Sequence, residues 1–489
     1  MIISKKDEVY LTVKVDKSMS RELSDFFTFD VPGAKFMPQY KSRHWDGKIR
    51  LYSQVNGEIY VGLLPYIEEF ANRNDLKIQY TGDINNANNI SRNDTKTFIK
   101  RVNPKSKGQS IEARDYQVDA VHHAIRTNRS LLLSPTASGK SLIIYLITSW
   151  YLSMINTKKI LILVPTTSLV EQMHSDFVDY GYSESGMQKI YQGHTKQITK
   201  PVTISTWQSL YKMPKKWFEQ FSCILGDEVH NFKSKSLTGI MNKMYQCKYR
   251  HGFTGTLDGT QTHRLILEGL FGSVKRVTTT KNLMDNKTLA KLNIKCLVLK
   301  YPESDCKYMN GLNYQDEVDL IVRDGRRNKF ITDLTNHLKG NTLVLFQYVE
   351  KHGDVLYSDI KNALDENRKV FYVYGGTDTQ TREDIRGITE LERDAVIVAS
   401  YGTFSTGINI RNLHNIVFSS PSKSRIRVLQ SIGRSLRKNE NKDVATLYDI
   451  SDDFTYKNNQ NFTLRHFMER INIYNEEQFD YEIKKIPIE

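Results

Sequence analysis

The stretch Leu131-Leu-Leu-Ser-Pro-Thr-Ala-Ser-Gly-Lys-Ser141 constrains this chain more than any other. An apolar strand runs into a loop of small residues, and Gly139-Lys140-Ser141 opens the apolar helix that continues Leu142-Ile-Ile-Tyr-Leu-Ile147. A tight loop at a helix start turns successive backbone N–H groups and the positive end of the helix dipole toward one point, which suits a phosphate. Pro135, Thr136, Ala137 and Ser138 line that cradle. Gly139 lets the backbone approach without a Cβ, Lys140 reaches the β/γ oxygens of a nucleoside triphosphate, and the Ser141 hydroxyl ligates Mg²⁺. Ser134 stands where the GxxxxGK[ST] pattern has its first glycine, and a serine-rich turn would read much the same. The buried strand before the loop and the buried helix after it favour the cradle.

With 489 residues the chain has room for about three domains of ~150 residues. Lys and Arg number 69 against 55 Asp and Glu, a net charge of +14, which points to a polyanionic partner. Cys223, Cys247, Cys296 and Cys306 are scattered with no CxxC and no paired histidines, so they read as reduced thiols and form neither a disulfide frame nor a zinc site. No apolar run approaches ~18 residues and the N-terminus has no signal-like core, so a soluble, cytoplasmic chain without a membrane partner is expected.

Taken in order, Val9, Leu11, Val13 and Val15 alternate with polar residues as in a half-buried strand, and Leu23, Phe26 and Phe27 suggest a short helix. Lys48–Tyr52 and Glu58–Leu63 flank Asn56-Gly57, a hairpin signal because both residues tolerate positive φ. Residues 1–82 therefore form a small α+β module. Within it, residues 35–50 interleave basic and aromatic side chains. Lys41, Arg43, Lys48 and Arg50 suit phosphate contacts and Tyr40 and Trp45 suit stacking on bases; a solvated basic loop in which Trp45 packs the module is the alternative.

Residues 83–110 are Asn-rich and polar and read as a linker, with one helix near Asp94–Ile99. Beyond them, apolar β-runs alternate with helical patterns: 131–133, 160–164, 202–205 and 223–225, then 342–346, 370–373, 395–399 and 416–418. Strands buried on both faces and separated by helices make parallel α/β sheets. Two such sets give tandem domains, 111–285 and 286–489. The second carries a tail in which Leu464, Phe467, Met468 and Ile471 recur at helical spacing before Phe479, Tyr481 and Ile483 alternate.

Ile224-Leu-Gly-Asp-Glu-Val-His230 is an apolar strand ending in two acids, roughly ninety residues after the phosphate loop. Asp227 would hold Mg²⁺ through water, Glu228 would position and deprotonate an attacking water, and His230 would sit at the edge as a relay. About twenty residues before the loop, Gln117 is offered to an adenine edge, with Arg114 or Tyr116 to stack on the ring. Thr254 and Thr256 could couple domains through their hydroxyls. Arg434 and Arg437, three residues apart, share a helical face suited to developing charge on phosphate. Ser405-Thr-Gly-Ile-Asn409 offers hydroxyls, Gly407 and Asn409 for a backbone or ribose contact.

In this order the stretches resemble superfamily 2 helicases: Gln117, the loop 134–141, Val164-Pro-Thr-Thr, Ser205-Thr-Trp-Gln-Ser209, Asp227-Glu-Val-His230, Thr254-Gly-Thr256, Leu343–Phe346, Tyr401–Asn409 and Gln430–Arg437. The resemblance implies two RecA-like domains with ATP and Mg²⁺ between them. It also implies a nucleic-acid strand along Pro165, Thr166, Thr206, Gln208, Gly375, Thr403 and Thr406, with Gln430 coupling the two activities. The whole chain, including His44-Trp-Asp-Gly-Lys-Ile-Arg50, further resembles the UvsW-type branch-migration helicases of tailed bacteriophages. That implies a monomeric ATP-dependent DNA motor in the host cytoplasm. Its substrate would be branched double- and single-stranded DNA, namely Holliday junctions, forks, D-loops and R-loops, met in recombination, replication and repair, with single-strand-binding or recombination proteins as partners. Val229 replaces the usual alanine or cysteine of the acidic box, and Asn409 an acid, which puts the ribose contact in question. An RNA helicase, a restriction-type DNA translocase and a nucleic-acid clamp with a decayed ATPase remain the alternatives, because phosphate contacts carry no base or sugar information.

Overall fold

Strands that are apolar on both faces need helices on both faces, and this chain supplies them twice. The computed structural model describes all residues except 85–86, 155–158, 234, 366, 408–409, 411, 422–423 and 437–442, and leaves the side chains of 233, 262, 379, 405–407, 425–426 and 434–435 undescribed. Two compact units result, Met1–Thr278 and Thr279–Glu489. The split lies seven residues before the boundary expected at 285/286, because the helix Thr280–Asp285 belongs to the second unit.

The first unit begins with a five-stranded sheet ordered Tyr52–Ser53, Glu58–Tyr60, Tyr10–Lys14, Ile2–Lys5 and Gln79–Thr81. Ile3, Leu11, Val13 and Ile59 fill one face against the helices Lys17–Phe26 and Leu64–Arg73. The hairpin at Asn56-Gly57 exists, but its loop spans residues 54–57 with Gly57 alone in the left-handed region, and Ser53 pairs Glu58. Lys48–Arg50 does not extend this hairpin. It leaves to pair Thr28–Asp30 as a separate two-stranded ribbon that carries residues 31–47.

The expected linker is a correction. Residues 92–102 form a helix opened by a capping box between Ser91 and Asp94, and Lys105–Ser106 pairs Gln109–Ser110. Thr95, Phe98, Ile99 and Val102 fall on one stripe, and Phe98 meets Trp150 edge-on at 5.0 Å inside the core of the first α/β domain. The helix expected near Asp94–Ile99 is therefore present, but it packs into the domain instead of lying in a tether.

That domain is a seven-stranded sheet, parallel throughout, ordered Met187–Ile190, Val202–Thr206, Lys159–Val164, Phe221–Gly226, Tyr249–Thr254, Arg129–Leu133 and Val274–Arg276. The N-terminal module is fastened to it by partly buried polar contacts and one close backbone approach. Arg129 pairs Glu8 at 2.7 Å, the Tyr66 hydroxyl donates to Glu268 at 2.5 Å, and a Cβ on Gly62 would stand 1.9 Å from the Glu268 carbonyl oxygen.

The second unit repeats the architecture in the order Val370–Val373, Val396–Ser400, Thr342–Phe346, Asn415–Phe418, Val444–Asp453, Lys291–Lys300 and Tyr481–Pro487. The tail supplies both its last strand and the helix Phe462–Glu476, whose first turn is held by the buried Glu317 carboxylate through Phe462, Thr463 and Asn461. Leu464, Phe467 and Ile471 are buried as expected, whereas Met468, at the edge of the same stripe, is exposed. Among the described residues no helix is long and apolar enough to cross a membrane.

Phe98→Ala should lower the stability of the first unit by about 3–5 kcal/mol, the usual cost of emptying a packed aromatic site, seen as a lower denaturation midpoint. Were residues 83–110 a tether only, the midpoint would not move.

Candidate nucleotide site and nucleic-acid surfaces

Three neighbouring parallel strands of the first domain end at one edge and deliver the chemistry. Arg129–Leu133 enters the phosphate loop, Phe221–Gly226 enters Asp227-Glu228, and Tyr249–Thr254 between them ends on Thr254. The loop's odd residue is explained here. Ser134 is buried, its Oγ lies 2.6 Å from Ser138 Oγ, and it is not among the residues with positive φ, so a glycine is not required. Gly139 is required: its φ is 79°, and a Cβ there would stand 2.2 Å from Gln117 Nε2. Ala137 at φ 65° and Glu228 at φ 49° hold left-handed conformations that cost a side-chain-bearing residue about 1–3 kcal/mol, a strain concentrated at functional sites.

Lys140 stands at the centre. Its Nζ lies 2.7 Å from Asp227 Oδ1 and 2.7 Å from Glu228 Oε1. Burial works against the lysine cation, but the two carboxylates outweigh it and the net shift is upward, so the ammonium stays charged. Burial also pushes both acids up. For Glu228 the Lys140 ammonium and His230 outweigh burial and hold the carboxyl well below the usual range; for Asp227 burial and the Glu228 charge prevail and the shift is upward. The two acids therefore share one cation and are driven apart in acidity, which keeps Glu228 ionised.

The expected coupling residues of this unit meet. His230 Nδ1 is 3.0 Å from Thr254 Oγ1 and 3.3 Å from Glu228 Oε2, Thr254 Oγ1 donates to the Thr256 carbonyl at 2.8 Å, and Ser134 N–H donates to the Thr254 carbonyl at 2.8 Å. One threonine thus joins the phosphate loop, the acidic box and the 254–256 turn. Gln117 reaches the loop itself: its Nε2 donates to the Ser138 carbonyl at 2.9 Å and its Oε1 accepts from Arg114 N–H at 2.9 Å. Arg114 and Tyr116 bond each other at 2.8 Å on the exposed side.

Sequence reasoning missed three residues. Tyr180, at the end of the helix Thr167–Asp179, places its hydroxyl 2.9 Å from Ser141 Oγ, and burial pushes that phenol up to about 12, so it stays protonated. His263 and Asp258 are the other two: His263 Nε2 donates to the His230 carbonyl at 2.9 Å and its Nδ1 faces Asp258 at 2.9 Å. Tyr180 and His263 reach across 39 and 33 residues of sequence, so no local pattern marks them. A magnesium ion fits the donor set: one hydroxyl at a helix start and one carboxylate suit a hard cation that keeps waters and phosphate oxygens as its other ligands.

The expected nucleic-acid residues divide. Gln208 Nε2 donates to the Pro165 carbonyl at 3.2 Å, bringing those two segments together beside Thr166, which caps its helix at Leu169 N–H. Gly375 is exposed. The Thr206 and Thr403 side chains are buried, with hydroxyls turned to Ser209 and Ser400 at 2.9 and 2.8 Å, so they are internal braces rather than surface contacts. Arg434 and Gln430 lie on the helix Arg425–Ser435, and Gly407 and Thr406 on Tyr401–Gly407; the side chains of Arg434 and Thr406 lie outside the described residues, as do Asn409 and Arg437 altogether. In the ribbon loop, the Trp45 indole donates to the Lys48 carbonyl at 2.8 Å and the Tyr40 ring packs over Gly47. Both aromatics brace the loop, which is the alternative reading for Trp45, while Lys41, Arg43, Lys48 and Arg50 are exposed.

Comparison with known proteins agrees along the chain. Residues 2–81 match the family model described as DNA helicase UvsW, N-terminal; residues 110–259 match Type III restriction enzyme, res subunit; and residues 326–439 match Helicase conserved C-terminal domain. The chain is 36% identical over 498 residues to the ATP-dependent DNA helicase uvsW of Enterobacteria phage T4, covering 98% of both. It is 25% identical over 364 residues to the DNA 3'-5' translocase XPB2 of Sulfurisphaera tokodaii, covering 68% of this chain and 80% of the relative. The crystal structure of T4 UvsW aligns over 100% of this chain and 99% of its own, with 34% identity and a TM-score of 0.54.

Lys140→Ala leaves two buried carboxylates without their cation, so both are pushed up. An acid whose folded pKa is raised makes the native state bind more protons, and stability then falls as pH rises. The variant should lose more of its denaturation midpoint at pH 8 than at pH 5, compared with the parent protein at each pH. An equal loss at both would show that Lys140 does not neutralise the pair.

Proposed function

The chain belongs to the UvsW helicase family, and from that membership we propose that it is an ATP-dependent DNA helicase that unwinds and branch-migrates branched DNA, such as Holliday junctions, forks, D-loops and R-loops, during recombination, replication and repair. The observation that carries the proposal is Lys140, held 2.7 Å from both Asp227 and Glu228 beside a glycine-opened helix start. Such a site has the parts that phosphoryl transfer needs: a cradle for the β-phosphate, a mobile cation for the γ-phosphate and an ionised carboxylate for water.

Lys140 exchanges its carboxylate partners for phosphate oxygens when ATP enters. The Ser141 hydroxyl and, through water, Asp227 would hold magnesium, which would supply positive charge to the β- and γ-phosphates. Glu228, released from Lys140 but still beside His230, accepts a proton from the attacking water as the bond to the β–γ bridging oxygen breaks, giving ADP and phosphate. Gln117 reads the adenine edge while fixing the loop through Ser138, with Arg114 and Tyr116 against the ring, and Gly407 and Asn409 contribute from the second domain. Arg434 and Arg437 supply charge to the departing phosphate; comparable arginines contribute about 10³–10⁵ in rate.

Thr254 lies on the route by which hydrolysis reaches DNA, because it touches both the phosphate loop and His230. Pro165, Thr166, Gln208 and Gly375 offer the surface along which the tracking strand passes, and the basic ribbon of the N-terminal module grips the branched duplex. The motor works as a monomer in the host cytoplasm, with single-strand-binding or recombination proteins as partners on the same DNA.

Glu228→Gln should reduce ATP turnover about 10²–10⁴-fold, the usual contribution of a positioned base, and abolish junction unwinding, while gel-shift affinity for a four-way junction stays within about threefold of the parent. Retained unwinding would refute the assigned site.

A further inference from the structure

The chain leaves one apolar point on its most basic loop, and neither the nucleotide site nor the fold uses it. Phe36 is 81% exposed and Met37 41%; among the described residues Phe36 is the phenylalanine that stands at the surface. An isolated exposed Leu would need no comment, but here the placement is built. The ribbon of Thr28–Asp30 and Lys48–Arg50 carries the loop, Gly33 turns it at φ 75°, a single 3₁₀ turn spans Ala34–Phe36, and Pro38 opens the short helix Pro38–Lys41 directly after Met37. The base is braced by Trp45 on Lys48, by Tyr40 over Gly47 and by the Arg50–Asp46 ion pair. The loop's other aromatic rings are therefore spent on its own shape, and it holds Phe36 and Met37 outward.

The surroundings name the occupant. Lys35, Lys41, Arg43 and Lys48 are exposed around the tip, and between positions 30 and 50 the carboxylates are Asp30 and Asp46, the latter committed to Arg50. Two apolar side chains are far too little area for a stable protein contact, which buries about 800 Å² per partner. They match the side chains, Phe, Leu, Ile, Met and Pro, that proteins push between base steps while cations beside them hold the phosphates. We propose that Phe36 and Met37 form a wedge that enters the DNA branch point, unstacking the pair at the fork while Lys35, Lys41, Arg43 and Lys48 hold the arms. This rests on the DNA-helicase reading above and adds the element that separates strands. The N-terminal module is fastened to the domain bearing the ATP site through Glu8–Arg129 and Tyr66–Glu268, so the wedge belongs to the same compact unit as that site.

The test uses the full chain with Phe36→Ala and Phe36→Trp on a four-way DNA junction carrying 2-aminopurine at the branch, and on the same junction with the probe ten base pairs out along one arm. Without ATP, the parent protein should raise fluorescence at the branch and leave the distal probe unchanged. Phe36→Ala should lose that rise and unwind the junction at least about tenfold more slowly, within what one lost base stack supplies. Its ATPase activity on single-stranded DNA should stay unchanged, and Phe36→Trp should restore both signals. The wedge is overturned if Phe36→Ala retains the fluorescence rise and the rate, if both probe positions respond equally, or if Phe36→Ala converts a dimer to a monomer in sedimentation, which would make the tip a contact between copies. Parent protein that hydrolyses ATP with DNA yet gives no branch signal overturns the wedge alone; protein that ignores DNA in both assays overturns the helicase reading with it.

Discussion

The first unit depends on one lysine ammonium shared by two buried carboxylates. Two acids side by side away from water repel each other and lose hydration, a combination tolerated only with a cation in hydrogen-bonding contact. Lys140 is that cation at 2.7 Å from each, and it comes from a different strand–helix turn than the acids do. The ends of four parallel strands are therefore tied to the electrostatics of the site: Asp227 N–H donates to the Leu163 carbonyl at 2.8 Å, and the Thr254 carbonyl accepts from Ser134 N–H of the phosphate loop. In the function proposed above, a nucleotide would compete for Lys140 and redistribute the charge that holds these strand ends together.

Around that centre, polar contacts join segments distant in sequence. Thr254 joins the loop, the acidic box and the 254–256 turn, Tyr180 joins the Ser141 hydroxyl to the end of the helix that Thr166 opens, and His263 fixes the backbone of His230. The same helix begins at the expected strand-contact surface and ends at the expected metal ligand. The second unit has a different distribution of buried charge. Arg327–Asp452 and Arg470–Asp449, each at 2.8 Å, are buried and hold the helices Gly325–His337 and Phe462–Glu476 to the strand Val444–Asp453. Each of these pairs joins one arginine to one acid, whereas Lys140 is shared by two.

Much of this was legible in the sequence because the chemistry is local there. The phosphate loop, Asp227-Glu228 and the apolar runs of both sheets are contiguous signals, and they lie in strands that end at one edge. Contacts that depend on distance in sequence were not legible. Tyr180 reaches Ser141 across 39 residues, and nothing in its neighbours announces it. The helix near 94–99 was legible, but its place in the core was not, because its apolar stripe, Thr95, Phe98, Ile99 and Val102, is diluted by charge on the other faces. Tyr40 and Trp45 have the composition of stacking residues, and only the Trp45–Lys48 hydrogen bond and the packing on Gly47 show that they shape the loop. Phe36, one residue into the same basic run, drew no attention because exposure has no sequence signature.

The central claim is that the exchangeable Lys140 site drives work on branched DNA. Its most direct test is ATP hydrolysis by the intact chain, titrated in parallel with a four-way DNA junction, plain duplex, single-stranded DNA and single-stranded RNA of matched length. The account predicts strongest stimulation by the junction and a marked loss of that preference when the four exposed cations of the ribbon loop, Lys35, Lys41, Arg43 and Lys48, are changed to glutamine. Stimulation by RNA alone, or by all four nucleic acids equally, would contradict it.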